Sequence, residues 1–246
     1  MSCRPLYRNR TIETNNKHKQ FLSNHQSMIF DAVLLGDSIF ERFLYKEEAK
    51  KAFGKYFFQR YDIFNCSVGG DKIENLLWRL AKGDILSHFG PDPRQIIILI
   101  GKDHLRWSPP DERSSFGINN MHYNRINIDT MVDGYQQILD IIRERFPRVR
   151  IDVIGVYPMN VDENQPLINN FNARINALTR DYDCIRYHDF HDDLCNNDGS
   201  LKTEHYIDHV HFSSSGYDIF ARRLVELIEA NMPRIVLRPA NDNNDN

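Results

Sequence analysis

Short apolar runs rich in Val and Ile alternate along the chain with longer stretches whose apolar positions recur at helical spacing. This is the pattern of a parallel sheet joined by crossover helices. The runs predict five strands, about Asp31–Leu35, Ile63–Cys66, Gln95–Ile100, Arg150–Val156 and Cys184–His188. Most are apolar throughout rather than alternating, as strands covered on both faces are. The amphipathic stretches predict helices near Phe40–Phe53, Ile73–Lys82, Ile128–Phe146, Pro166–Arg180 and Ser215–Asn231, the last with Ile219, Phe220, Val225 and Ile228 at helical spacing. The fold class expected is α/β, a three-layer α/β/α sandwich around a five-stranded parallel sheet, flavodoxin-like in outline.

Both ends of the chain fall outside this scheme. Residues 1–20 are polar and read as an arm or disordered extension that carries no chemistry, and 238–246 form an Asn/Asp-rich tail that cannot repay its ordering entropy. Residues 21–237 remain as one domain, and 246 residues are enough to bury a core. Arg106 to Arg125, with Pro109, Pro110 and Gly117, reads as a long loop after the third strand, a functional or disordered kind of segment.

Composition narrows the function classes. Lys and Arg total 31 against 34 Asp and Glu, a net charge of −3, so nucleic acid and anionic lipid exert no general pull and a nucleic-acid partner is not expected. Cys3, Cys66, Cys184 and Cys195 show no C-x-x-C spacing and are too few for a disulfide scaffold, which points to a reduced, intracellular protein. No apolar run approaches the roughly 20 residues of a membrane span, and Met1 to Lys19 lack the apolar stretch of a signal peptide. A soluble, cytoplasmic protein without a membrane span is expected.

Ligands of open parallel sheets bind beyond the carboxyl ends of the strands, and three of the five ends carry unusual residues. The first ends in Gly36-Asp37-Ser38-Ile39, which puts a serine at the start of a helix. There the serine either serves as an exposed nucleophile or simply caps the helix. The second ends in Asn65-Cys66-Ser67-Val68-Gly69-Gly70-Asp71, whose glycines let the backbone approach a ligand with an amide pointing outward, or make an ordinary strand-to-helix turn. Before the last helix stands Asp208-His209-Val210-His211. An aspartate three residues before a histidine can hold the imidazole Nδ1 proton while Nε2 faces a nucleophile, although a histidine-rich turn is also a common solvated cluster.

The three blocks together resemble the GDSL/SGNH hydrolase family, from about Phe21 to Ile228. Within that span, Gly69-Gly70-Asp71 followed by Leu76-Leu77-Trp78-Arg79-Leu80 resembles the platelet-activating-factor acetylhydrolase catalytic-subunit branch. The resemblance implies a serine hydrolase with Ser38 as nucleophile, His211 as general base and Asp208 orienting it. The Ser38 and Gly70 amides would donate to the oxyanion. It implies further an acetyl-like short-chain ester or lipid-like substrate, no cofactor, a homodimer and a WD-repeat protein partner. One block departs from the family. Its third reads Gly-x-Asn, with the asparagine amide as a further oxyanion donor, whereas this chain has Gly101-Lys102-Asp103-His104, so Asp103 takes the asparagine's place. An ionised carboxylate accepts hydrogen bonds only and repels an oxyanion, whereas a protonated one could donate and Lys102 could neutralise it. This leaves open a second reading, a catalytically weakened SGNH-fold protein that binds protein or RNA.

Other residues are discounted. Leu77, Trp78 and Leu80 read as core or interface, and His188, Asp189, His191, Asp192 and Asp193 as a solvated loop rather than a metal site. Asp37, Asp103, His104, Asp208, His209 and His211 all fall near strand ends, yet no metal is expected among them. Tyr7, Arg8 and Arg10 read as mere solubility in the N-terminal arm. Substrate choice is assigned to the 102–125 loop and the turn at Tyr157-Pro158-Met159.

Overall fold

The computed structural model describes residues 2–105, 127–159 and 165–232. Its sheet has five parallel strands, β1 Ala32–Gly36, β2 Ile63–Asn65, β3 Gln95–Leu99, β4 Arg150–Ile154 and β5 Ile185–His188, in the order β2-β1-β3-β4-β5. Every residue of β1 and β3 is buried, as expected of central strands covered on both faces. In register, Gly36 stands beside Leu99, so the ends of β1 and β3 lie side by side at the edge where ligands bind such sheets. A Cβ on Gly36 would collide with the Leu99 carbonyl oxygen, which only glycine avoids.

The helices are α1 Asn9–Asn24, α2 Ser38–Glu41, α3 Glu47–Tyr56, α4 Ile73–Ala81, α5 Lys102–Leu105, α6 Ile128–Arg145, α7 Gln165–Thr179, α8 His191–Leu194 and α9 Ser214–Glu229. Helices α3 and α9 pack on each other, while α1, α4, α6 and α7 form a second packed series. One core joins them to the sheet, and it takes in Leu77 and Leu80. Among the described residues, no helix is long and apolar enough to cross a membrane.

Two expectations are corrected. The single helix expected over Phe40–Phe53 is two, divided by a 3-10 turn at Arg42–Leu44 and extended backbone at Lys46. Arg42, almost fully buried, pairs with Glu48 at 2.6 Å and holds the bend, while Leu44 and Tyr45 face outward instead of continuing an apolar stripe. The N-terminal segment, expected to be an arm or disordered, contains the 16-residue α1. Its buried residues are Thr11, Asn15, His18 and Leu22, a helical stripe that is mostly polar. Two of them, Asn15 and His18, reach Arg79, which is 0% exposed and hydrogen-bonds both of them and Cys66, while Thr11 donates to Asp71 at 2.7 Å. A buried guanidinium requires such partners, and α1 supplies two of the three. Burial, and then the Arg79 charge, push the His18 pKa down to about 3, so His18 stays neutral as an acceptor. Most of the expected 102–125 loop and all of the C-terminal tail lie outside the described residues.

Candidate active site

The end of β1 presents Ser38 through a tight local design. Asp37, not Ser38, is the cap of α2: its side chain accepts from the Ile39 amide at 3.0 Å, leaving the Ser38 hydroxyl uncommitted to capping. Asn65 at the end of β2 braces the same helix, accepting from the Ser67 amide while donating to the Phe40 carbonyl. The turn after β2 hangs on β1, with the Cys66 amide on the Leu34 carbonyl at 2.9 Å and the Val68 amide on the Gly36 carbonyl at 3.0 Å. Gly70 follows with φ +76°, left-handed backbone that glycine adopts without strain.

That turn is flanked by residues from the N-terminal segment. Arg8 donates to Asp71 at 2.7 Å and to the Gly69 carbonyl at 3.2 Å. Arg10 donates to the same carbonyl at 3.2 Å and to both Glu41 oxygens at 2.8 and 2.7 Å. The reading of Arg8 and Arg10 as mere solubility is therefore corrected. Motif inspection missed them because the family blocks begin after residue 30, and a basic pair in a polar segment carries no spacing signal.

Asp208 and His211 come to Ser38 on the loop before α9. His211 Nε2 lies 3.1 Å from Ser38 Oγ, and His211 Nδ1 lies 2.7 Å from Asp208 Oδ2. The other Asp208 oxygen accepts from the Val210 and His211 amides at 2.8 and 2.7 Å, which fixes the carboxylate within its own turn. Burial lowers the His211 pKa, against the opposing pull of Asp208, so the ring is neutral at pH 7. Burial alone would raise the Asp208 pKa, but the His211 side chain and the two amides outweigh it and hold the carboxyl below its ordinary range. His209, between them, is exposed. The loop rests on Tyr157, whose hydroxyl donates to the Val210 carbonyl at 2.8 Å, and on Tyr206, which donates to the Pro158 carbonyl at 2.7 Å. Tyr157 and Met159 are 2% and 3% exposed, so the Tyr157-Pro158-Met159 turn supports the histidine loop instead of shaping a substrate surface as expected.

The third block introduces a charge cluster. Lys102, 1% exposed, has its Nζ 3.0 Å from Asp103 Oδ2, 3.3 Å from Ser38 Oγ and 3.8 Å from Asp37 Oδ2. Burial pushes the Asp37 pKa up to about 7, with Lys102 opposing the rise and Asp103 adding to it. His104 turns to Glu74 at 2.6 Å. The Asp/His-rich residues after β5 scatter: His188 binds the buried Asp152, His191 lies near Asp192 and Cys195, and Asp193 pairs with Arg223. Among the described residues, no group of three or more potential metal ligands converges.

A neutral imidazole between a carboxylate and a serine hydroxyl is suited to removing the hydroxyl proton, and the adjacent ammonium suits an anion forming at that oxygen. The model of the GDSL-like Lipase/Acylhydrolase family matches residues 34–219. The chain belongs to the GDSL-like lipase/acylhydrolase family. It is 23% identical over 215 residues to the platelet-activating factor acetylhydrolase IB subunit alpha1 of Bos taurus, covering 86% of this chain and 80% of that one. To the alpha2 subunit of Rattus norvegicus it is 22% identical over 217 residues, covering 87% and 82%. A solved GDSL-like lipase from Bacteroides thetaiotaomicron has the same fold, with TM-score 0.65, 15% identity and coverage of 89% of this chain and 100% of that one.

Proposed function

We propose that this chain is a serine esterase that cleaves short-chain, acetyl-like esters, with Ser38 as nucleophile, His211 as general base and Asp208 as its orienting carboxylate. The observation that carries the reading is the continuous relay from Asp208 through a neutral His211 to Ser38, at 2.7 and 3.1 Å. His211 Nε2 takes the Ser38 proton as Oγ bonds to the ester carbonyl carbon, and the carbonyl electron pair moves onto its oxygen. The amides of Ser38 and Gly70 receive that oxyanion. Collapse expels the alcohol, which leaves with the proton from His211, and water activated by the same ring then frees the acyl group from Ser38. Each step uses the chain's own side chains and backbone amides, and water.

The preference for an acetyl-like group is supported by the acetylhydrolase relatives, which are named for that activity. The Lys102–Asp103 pair favours activity over the binding-module reading, because an ammonium at 3.0 Å offsets the carboxylate that would oppose the oxyanion. A fluorophosphonate probe tests the assignment. It should label native protein and fail on Ser38→Ala, and p-nitrophenyl acetate should turn over faster than longer esters. Labelling that persists in Ser38→Ala would refute Ser38 as the nucleophile.

A further inference from the structure

The Gly69–Gly70 peptide is held from one side only. Its carbonyl, on Gly69, accepts from two guanidinium groups, Arg8 Nη2 and Arg10 Nη1, each at 3.2 Å. Its amide, on Gly70, has no acceptor among the described residues. In a planar trans peptide the carbonyl and the following N–H point in opposite directions, and there are no cis bonds among the described residues. Fixing the Gly69 oxygen therefore fixes where the Gly70 hydrogen points. The constraint is needed here above all, because a peptide between two glycines has no Cβ on either side to resist rotation.

We propose that Arg8 and Arg10 are positioning residues that lock this peptide with its N–H toward the oxyanion, making the N-terminal segment part of the active site. The proposal rests on the reading of Gly70 as an oxyanion donor. Each guanidinium is itself anchored, Arg8 by Asp71 at 2.7 Å and Arg10 by both Glu41 oxygens, so neither is free to release the carbonyl. Arg8 brackets Gly70 by bonding both the carbonyl before it and the carboxylate after it, and a Cβ on Gly70 would lie 2.9 Å from Arg8 Nη1. Donation to the carbonyl also polarises the peptide, which makes its N–H a stronger donor. The two guanidinium groups are 41% and 53% exposed while their carboxylate partners, Asp71 and Glu41, are buried, so the pairs also brace the turn, and the positioning role is read from turnover and transition-state affinity in folded protein.

The test compares native protein with Arg8→Met, Arg10→Met, the double Met variant and the double Lys variant, on p-nitrophenyl acetate and with fluorophosphonate labelling. Each single Met variant should lose only a few-fold in kcat, because the other guanidinium still holds the carbonyl. The double Met variant should lose about 100-fold, the lower range for one oxyanion donor. Melting temperature should fall, because each substitution strips a partner from a buried carboxylate, so rates are read well below the melting range of every variant. There KM should stay near its native value, and the affinity of a trifluoromethyl ketone analogue should fall in step with kcat. The double Lys variant should recover at least tenfold, since an ammonium still donates to the carbonyl. A double Met variant within threefold of native kcat, or one whose loss lies in KM without a matching loss of ketone affinity and is not rescued by lysine, overturns the role of the arginines. Should native protein itself show neither turnover nor labelling of Ser38, the esterase reading falls and this proposal with it.

Discussion

Asp103→Asn should accelerate ester hydrolysis about tenfold, well short of the full value of an oxyanion donor. Such a donor is typically worth roughly 100- to 1000-fold, about 2.7–4 kcal/mol. A lone carboxylate about 4 Å from the oxyanion would oppose it by about 4 kcal/mol at an effective dielectric near 20. Lys102 cancels most of that opposition, because its Nζ lies 3.0 Å from Asp103 and 3.3 Å from Ser38 Oγ, so ammonium and carboxylate meet the oxyanion as a nearly neutral pair. The substitution then exchanges this pair for a neutral amide donor beside a retained ammonium. A neutral hydrogen bond contributes about 0.5–1.5 kcal/mol net, and tenfold corresponds to about 1.4 kcal/mol.

The same arithmetic reverses for Lys102→Met, which leaves Asp103 facing the oxyanion alone and should cost at least 100-fold in kcat. Combining the two substitutions removes both charges and should recover most of that loss. The assay is a double-mutant cycle in kcat and KM on p-nitrophenyl acetate at pH 8, with thermal melts run alongside. Melts are necessary because stripping one partner from a buried pair costs about 3–5 kcal/mol of stability. Two results would refute the reasoning: Asp103→Asn at or below the native rate, or a double variant as slow as Lys102→Met.

Two further expectations follow from the titrating groups. Because burial lowers the His211 pKa, the acid limb of kcat/KM should fall below the ordinary imidazole value near 6.5; Asp208→Asn removes the opposing pull, so it should shift that limb lower still while cutting kcat by about 10⁴-fold. A limb above 6.5 in native protein would contradict this. Asp37 titrates near 7 in the fold but near 3.8 when unfolded, so its contribution to stability is present below about pH 4 and is lost as pH rises toward 7. Asp37→Asn, which keeps a capping oxygen, should gain stability relative to native over that window in urea melts, and a difference that is flat or shrinks with pH would count against the buried carboxyl.

The strands and most helices were legible because burial on both faces writes itself as unbroken apolar runs, and amphipathic burial as helical spacing. Helix α1 was not legible, because its buried face is Thr11, Asn15, His18 and Leu22. Hydrophobic periodicity cannot register a helix whose partner is a buried arginine. The break at Arg42–Leu44 was hidden for the opposite reason, since Leu44 and Tyr45 are apolar letters on exposed positions. Ser38, Asp208 and His211 could be picked out because each belongs to a local motif that a sheet edge brings together. Arg8, Arg10 and Asn65 belong to no such motif: each acts on a backbone group distant in the sequence, and only the folded geometry makes that pairing visible.

The third block illustrates why a motif position should be read with its neighbour. Asp103, taken alone, puts a negative charge where the family has a neutral donor. Lys102, taken alone, would be an ammonium 1% exposed, and a buried charge without a partner is expensive. Asp37 is a second carboxylate near Lys102, with Oδ2 at 3.8 Å while Oδ1 accepts from the Ile39 amide. Asp103 is the nearer carboxylate to Lys102 beside Ser38, at 3.0 Å, and Lys102 is the cation that makes a carboxylate tolerable there. The two departures compensate each other, and the site keeps a positive donor beside Ser38 although the asparagine is gone.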